Sequence, residues 1–600
     1  MRKINLFFGL ILLSLASFGQ AVPRPEYPRP QFERNEWINL NGEWSYTFDS
    51  GNSGKERGLI NSKGFDEKII VPFCPESKLS GVGYTDFIRT MWYQRKLNIP
   101  ADWDGKNVLL NFGGVDYTCE AYIDSQFVGS HSGGTSTFSL DITSFVKSGS
   151  AHNLVLYVKD DVLSMVQPLG KQSFRYQSSG ARYTRTTGIW QTVWMEPVSK
   201  TGLKSCRIVP SPDQKQFIIT PEYFSLAGDE ELTVKVKDGD RVVSQTTIPA
   251  GNSTVAVLPL KTIKTWSPED PFLYNISFEV TDKNKRVIDR VNSYAGMRKI
   301  EVKGNRVYLN NKPYYLRFVL DQGFYPDGIW TAPSDEALKK DIELSMQAGF
   351  NGARLHEKVF EGRFHYWADK LGYLTWAEAS DWGPDRSKPE TIRNITDEWV
   401  ETVKQRINHP SIIGWTPLNE LWNTEGTDYL RFNSSIYRLT QMLDPTRPVI
   451  TAAGGDLYQS DIWTVHDYAQ NDSLLAANLK QVNEKPNFTP YRITKAARYS
   501  GQPFMVSEYG GIKWATDPAY KNSWGYGNGP KSLAELYTRT EKLTNTILSF
   551  DHISGYCFTQ LTNVEQEQNG IYNYDRTPKF DMNIIRPIFS KNPAWAKHQK

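Results

Sequence analysis

Hydrophobic and polar positions follow two rhythms along this 600-residue chain. Up to about residue 297, short runs alternate apolar and polar residues, as in 231–236 (ELTVKV) and 273–280 (LYNISFEV). Others, such as 107–112 (NVLLNF), 120–123 and 154–158, are almost wholly apolar. Both textures predict strands, and turn pairs such as Gly113-Gly114 and Gly133-Gly134 separate them. Residues 22–199 fit a jelly-roll β-sandwich. Residues 200–297, with a turn at Trp266-Ser267-Pro268, fit a smaller immunoglobulin-like β-sandwich. From residue 298 the rhythm changes. Apolar runs at 314–320, 352–355, 374–377, 413–419, 449–451, 462–466, 504–508 and 555–560 alternate with helical stretches such as 334–348 and 391–408. Ser334 is placed to cap the first of these helices and Gly349 to stop it. Eight strands, most followed by a helix, predict a C-terminal (β/α)8 TIM barrel over 298–600. An open doubly wound sheet would carry a glycine-rich phosphate loop, and the chain has neither GxGxxG nor GxxxxGK[ST].

The length calls for several domains, which the change of rhythm supplies. Net charge is +3 without a dense basic block, so neither nucleic acid nor a membrane surface is expected as a partner. Arg2 and Lys3 precede an apolar run from Ile4 to Leu15 and then the small residues Ala16, Ser17 and Gly19. Residues 1–20 therefore read as a signal peptide, and the protein as periplasmic or secreted. No later segment is apolar enough to insert in a membrane. Cys74, Cys119, Cys206 and Cys557 have no metal-ligand spacing and read as buried free thiols, with a Cys74–Cys119 pairing as the alternative. No metal site and no cofactor is expected. Aromatic residues are plentiful, at 13%. They suit stacking on sugar rings but also suit sheets, and alone decide nothing.

In parallel barrels the active site lies at the C-terminal ends of the strands. Here those ends carry Arg354 and His356, Asn419-Glu420, His466 with Asp467 and Tyr468, and Ser507-Glu508-Tyr509. Glu420 and Glu508 fall on strands four and seven. Two carboxylates across a barrel mouth are what glycosidic bond cleavage needs: one protonates the leaving oxygen, the other attacks the anomeric carbon. Retention of configuration sets them about 5–5.5 Å apart. The like charge of Glu508 is expected to raise the pKa of Glu420 and keep it protonated. Asn419 can hydrogen-bond a sugar 2-hydroxyl, and Arg354 can orient the nucleophile.

Four separated motifs resemble glycoside hydrolase family 2, which includes β-galactosidases, β-glucuronidases and β-mannosidases. Asn408-His409-Pro410-Ser411-Ile412-Ile413-Gly414-Trp415 followed by Asn419-Glu420 resembles its acid/base signature. Ser507-Glu508-Tyr509-Gly510 resembles its nucleophile segment, Gly188-Ile189-Trp190-Gln191-Thr192-Val193-Trp194 the end of its sugar-binding sandwich, and Asn310-Asn311-Lys312-Pro313 the entry to barrel strand one. The resemblance spans nearly the whole mature chain. It implies Glu420 as acid/base, Glu508 as nucleophile, Arg354 and Asn419 in the active site, and exo action on a carbohydrate substrate. Asp161, or equally Asp160, resembles a sandwich residue that reaches toward the sugar in some members. Some relatives form oligomers, and the sequence leaves that state open.

The departures bear on the substrate. Family β-glucuronidases carry an Asn-x-Lys element late in the barrel that grips the sugar carboxylate. The corresponding stretch, Glu565-Gln566-Glu567-Gln568-Asn569-Gly570, has no lysine. Lys358, after strand two, is a candidate for contact with a carboxylate or sulfate. Further candidates are His466 and Tyr468 at the sugar or the nucleophile, Trp524 with Tyr526 as a rim platform or loop packing, and Phe558 with Gln560 on the pocket floor. The expected function is a retaining exo-β-glycosidase with β-galactosidase-like activity. The alternatives are uronic-acid, arabinose or mannose specificity, or a non-catalytic carbohydrate-binding protein.

Overall fold

The computed structural model describes residues 22–421, 427–484, 499–518, 520 and 522–598. The signal-peptide reading lies outside the described residues. In the first sandwich, Gly42–Phe48, Thr90–Asn98 and Ala151–Lys159 lie inside a six-stranded antiparallel sheet. It faces a four-stranded sheet centred on Asn107–Phe112 and Val193–Val198. Leu154, Leu156 and Val158 point into the core between the sheets, with Leu110, Phe112 and Met195. The other face is buried too, because Val155 and Tyr157 pack on Trp92. A strand buried on both faces reads as a continuous apolar run, which is the texture of 154–158.

The second sandwich is three strands (Leu203–Ser211, Gln216–Tyr223, Ala256–Pro259) against four (Glu231–Asp238, Arg241–Pro249, Tyr274–Thr281, Val287–Ala295). Leu232, Val234, Val236, Ile276, Phe278 and Val280 occupy alternate positions and fill its core.

The barrel strands are β1 (Leu316–Asp321), β2 (Gly352–Leu355), β3 (Leu374–Glu378), β4 (Ile412–Thr416, resuming at Leu418–Asn419), β5 (Ala452–Ala453), β6 (Trp463–Asp467), β7 (Phe504–Gly510) and β8 (Ile553–Thr559). Seven of them hydrogen-bond in parallel in the order β4-β3-β2-β1-β8-β7-β6. Strand β5 pairs with the end of β4. Between β5 and β6 the ladder is replaced by two bonds, Gly454 N to Thr464 Oγ1 at 3.1 Å and Asp461 N to Val449 O at 2.9 Å.

The run expected as a strand at 449–451 meets β4 through a parallel bridge between Val449 and Trp415, with Trp415 N donating to Pro448 O at 3.1 Å and Ile450 N to Trp415 O at 2.9 Å, and the strand itself is at 452–453. On the side facing β6, side chains take its backbone groups: the Asp461 carboxylate takes the Val449 N–H at 2.8 Å, Ser460 Oγ donates to Val449 O, and Thr451 Oγ1 donates to Gln459 O. The helix expected from Ser334 runs Asp335–Gln347, and the Ser334 side chain accepts the Ala337 N–H. The next expected helix begins earlier than its apolar pattern, at Pro389, whose fixed φ suits a first helical position.

A small antiparallel sheet (Ile300–Lys303, Arg306–Leu309, Lys312–Pro313) supplies Ile300, Val307 and Leu309 to the barrel interior beside Leu316, Trp376, Met505 and Cys557. The N-terminal end is thus filled with apolar side chains, which leaves polar chemistry to the opposite end. All four cysteines are buried free thiols, so no Cys74–Cys119 bridge forms. No helix among the described residues is long and apolar enough to cross a membrane.

The jelly-roll sandwich docks on the barrel through a loop. Leu169 N donates to Trp382 O and Gly170 N to Ser380 O, both at 3.0 Å. Gly170 has φ +56°, and a Cβ there would lie 2.2 Å from Glu357 O. Only glycine meets both demands. Gly170→Ala is expected to lower stability by about 1–3 kcal/mol and to speed amide exchange at 169–172. Unchanged exchange there would contradict this docking.

Candidate active site

Glu508 lies on β7 and Glu420 follows directly on the end of β4, so strand geometry turns both toward one mouth. One carboxylate oxygen of each and a ring nitrogen of His466 all lie within 4.8 Å of one another. Glu420 is pinned by Glu420 N to Ala453 O at 2.9 Å and adopts φ +45°. Such a conformation is uncommon for a residue with a side chain and tends to occur where geometry is fixed for function.

Arg354, at the end of β2, is completely buried. Its guanidinium donates to Glu508 Oε1 at 3.0 Å, Ser507 O at 2.8 Å, Asn419 Oδ1 at 2.9 Å and both oxygens of Glu378. Burial pulls its pKa down, but the charges of Glu378 and Glu508 outweigh this and keep it ionised. Tyr468 OH donates to the other oxygen of Glu508. Burial first, then the charge of Glu508, drives that phenol well above its usual range, so it stays a donor. Its ring stacks on Tyr526. Asn419 spends its oxygen on Arg354, and its Nδ2 is buried without a partner. That leaves an amide donor free for a ligand hydroxyl.

His466 sits between the two acids: Nδ1 is 2.7 Å from Glu420 Oε1 and Nε2 is 3.3 Å from Glu508 Oε1. The fit depends on Gly454, where a Cβ would lie 2.3 Å from His466 Cγ. This arrangement corrects the expectation for Glu420. Burial pushes its carboxyl up, but the hydrogen bond and charge of His466, with Lys171 and Arg354, outweigh burial and hold the pKa below the ordinary value. The intervening imidazole leads the influences that lower it. The same three groups have spacing that can take a divalent cation, but a cation there would fill the gap a glycosidic bond must enter.

Other candidates sort by where their side chains point. His356 is buried behind Arg354, 3.1 Å from Glu378 and 4.0 Å from Glu508. Burial, then the charges of Lys171 and Arg354, lower its pKa well below the usual imidazole value. Its Nδ1 also lies 3.1 Å from the Arg354 guanidinium.

Asp161 approaches Arg89 within its own sandwich at 3.7 Å. Asp160 is buried there as well, accepting from Thr187 and Gln167. Phe558 does not line the floor. Alternation on β8 sends Cys557 inward and the Phe558 ring outward, against Tyr509 and Phe589. Lys358 is spent on structure, donating to Gly323 O at 2.6 Å and Trp330 O at 2.7 Å, and burial lowers it to about 7. Trp524 ties the rim to the sandwich, with Nε1 donating to Gly180 O at 2.6 Å.

Sequence reasoning missed four residues. Glu378 stands one position past the expected end of β3, and extending that strand by one would have found it. Asp381 and Trp382 follow on the next loop: Asp381 accepts the Asn419 N–H at 2.9 Å, and Trp382 Nε1 donates to Asn419 O at 3.2 Å. Lys171 comes from the sandwich, and no strand-end rule could reach it.

His466→Asn removes the imidazole and its bond to Glu420. The Glu420 carboxyl is then expected to titrate at a higher pH than in the wild type, read from its infrared carbonyl band. An unchanged midpoint would contradict the assignment of His466 as the dominant downward influence.

Comparison with known proteins agrees with this geometry. Residues 38–168 match the model of glycosyl hydrolases family 2, sugar binding domain. Residues 204–298 match that of glycosyl hydrolases family 2, and 300–592 that of its TIM barrel domain. A β-galactosidase of Thermoanaerobacter pseudethanolicus is 25% identical over 437 residues, 71% of this chain and 56% of the relative. A β-glucuronidase of Bacteroides fragilis is 25% identical over 477 residues, 75% of this chain and 66% of the relative. The chain thus spans somewhat over half to two thirds of the length of these curated relatives. The β-glucuronidase from Ruminococcus gnavus in complex with D-glucuronic acid superposes with a TM-score of 0.78 at 18% identity, over 94% of this chain and 100% of that one. The chain belongs to glycoside hydrolase family 2.

Proposed function

We propose that this protein is a retaining exo-β-glycosidase whose substrate carries a terminal β-linked uronic acid. The observation that carries the catalytic reading is the carboxylate pair, held within 4.8 Å across the barrel mouth by partners that distinguish the two acids. Glu508 is the nucleophile. Arg354 and Tyr468 fix both of its oxygens and so orient the carboxylate for attack on the anomeric carbon. Glu420 is the acid/base. It protonates the leaving oxygen, and after departure takes a proton from the water that hydrolyses the glycosyl-enzyme. For the first step a substrate entering the gap must part Glu420 from His466, and Glu420 must acquire its proton. Asn419 Nδ2 is free to donate to the sugar 2-hydroxyl, a contact that strengthens in the transition state.

The β-glucuronidase relatives support a uronic acid over the galactose expected from sequence. Galactose is retained as the second reading, because a β-galactosidase is also among the relatives. Secretion through residues 1–20 would suit an enzyme acting on extracellular polysaccharide.

Release of 4-nitrophenol from β-glucuronide, β-galacturonide, β-galactoside, β-mannoside and α-arabinopyranoside tests both parts. The wild type is expected to prefer a uronide. Glu508→Gln is expected to abolish turnover, and Glu420→Gln to slow substrates with poor leaving groups by about 100- to 10,000-fold. A preference for galactoside would overturn the uronide reading, and undiminished Glu508→Gln activity would overturn the nucleophile assignment.

A further inference from the structure

The chain lacks the late-barrel lysine expected of a carboxylate-gripping site, yet it buries a different cation beside the acids. Lys171 is only 5% exposed. Among the described residues its ammonium makes no hydrogen bond or ion pair. It lies over the face of Trp382, 3.8 Å from the ring centroid. Trp382 in turn is bonded to the backbone of Asn419, next to Glu420. Lys171 is therefore near the catalytic gap, and its charge is felt by Glu420, His356, Glu357 and Glu567. With no protein acceptor among the described residues, the ammonium is available to donate a charge-assisted hydrogen bond to an anionic ligand.

The surroundings hold this cation in place. Leu169 and Gly170 clamp the loop to the backbone of Trp382 and Ser380. Arg182 straddles Lys171 by donating to Gly170 O at 3.0 Å and Gln172 O at 3.2 Å, and its guanidinium lies 5.2 Å from the centroid of the same Trp382 ring. The stretch without the lysine binds this loop. Gln566 Nε2 donates to Gly180 O and Arg182 O, Glu567 accepts from Tyr183 OH at 2.6 Å, and Glu565 accepts the Thr184 N–H at 2.9 Å. The late-barrel segment thus anchors the loop that brings two cations to one indole beside the active site.

We propose that Lys171, supplied by the sandwich domain and backed by Arg182 on Trp382, binds the anionic substituent of the terminal sugar. This rests on the reading of the protein as a glycosidase for an acidic sugar, and it names the group that selects the acid. A carboxylate and a sulfate ester present the same charged oxygens, so either satisfies the site, and the assay separates them.

The test compares wild type, Lys171→Met and Lys171→Arg on three aryl β-glycosides: a uronide, the matching neutral hexoside, and that hexoside sulfated at its 6-position. Lys171→Met is expected to lower kcat/KM on the preferred acidic substrate about 100-fold, the loss of one hydrogen bond to a charged group. The influence of Lys171 on Glu420 falls on both substrates alike, so the acidic substrate should lose about tenfold more than the neutral hexoside, and Lys171→Arg should recover part of that difference. Binding of glucuronate and of hexose 6-sulfate to Glu508→Gln, with and without Lys171→Met, gives the same comparison where neutral turnover is too slow to read. A sulfated hexoside as the preferred substrate, lost in Lys171→Met, would sustain the Lys171 assignment and overturn the uronide reading. A uronide preference that survives in Lys171→Met, or equal losses on acidic and neutral substrates, would overturn the assignment alone. Turnover of neutral glycosides only would overturn both.

Discussion

Arg354 carries a permanent positive charge into the barrel with none of its side chain exposed. Stripping such a charge of water costs several kcal/mol, repaid only by well-placed acceptors. The acceptors here are the parts of the candidate site: Glu378 on β3, Glu508 and the Ser507 carbonyl on β7, and the Asn419 amide at the end of β4. One planar, multiply donating group therefore fixes the relative positions of three strands. Lysine could not do so, having a single point of charge. The placement of the Glu508 carboxylate follows from this cation, and the free Asn419 donor is aimed by the same bonds.

A second layer decides where protons reside. His466 occupies the space between the two acids only because Gly454 has no side chain, and Tyr468 closes the far side of Glu508. The free site is thus a compact set of charges in which Glu420 is paired rather than poised. In the proposed mechanism, substrate entry exchanges that pairing for contact with the glycosidic oxygen. The sandwich takes part in the same set, because its 169–184 loop is bonded to strand-end segments on both sides of the mouth.

Much of this was legible in the sequence, for identifiable reasons. Period-two alternation marked the sandwich strands, and polar residues closing apolar runs marked Arg354, Asn419, Glu420, His466, Tyr468 and Glu508. What failed depended on direction or on distant chain. Phe558 lies next to an inward residue, and one step along a strand reverses the face. Strand β5 pairs with β4 where expected, but side chains take its backbone groups on the side facing β6. Lys358 and Lys171 look alike as isolated lysines; the carbonyls of Gly323 and Trp330 use up one, and the fold leaves the other without an acceptor. Only the docking of two domains distinguishes them.

The claim on which the rest depends is that Glu508 forms the covalent bond to the sugar. Incubation with a 2-deoxy-2-fluoro-glycosyl fluoride of the preferred sugar, followed by peptide mass mapping, tests it directly. The account predicts stoichiometric inactivation and a single adduct on the peptide containing Glu508. An adduct on another residue, or turnover with inversion and no adduct, would contradict it.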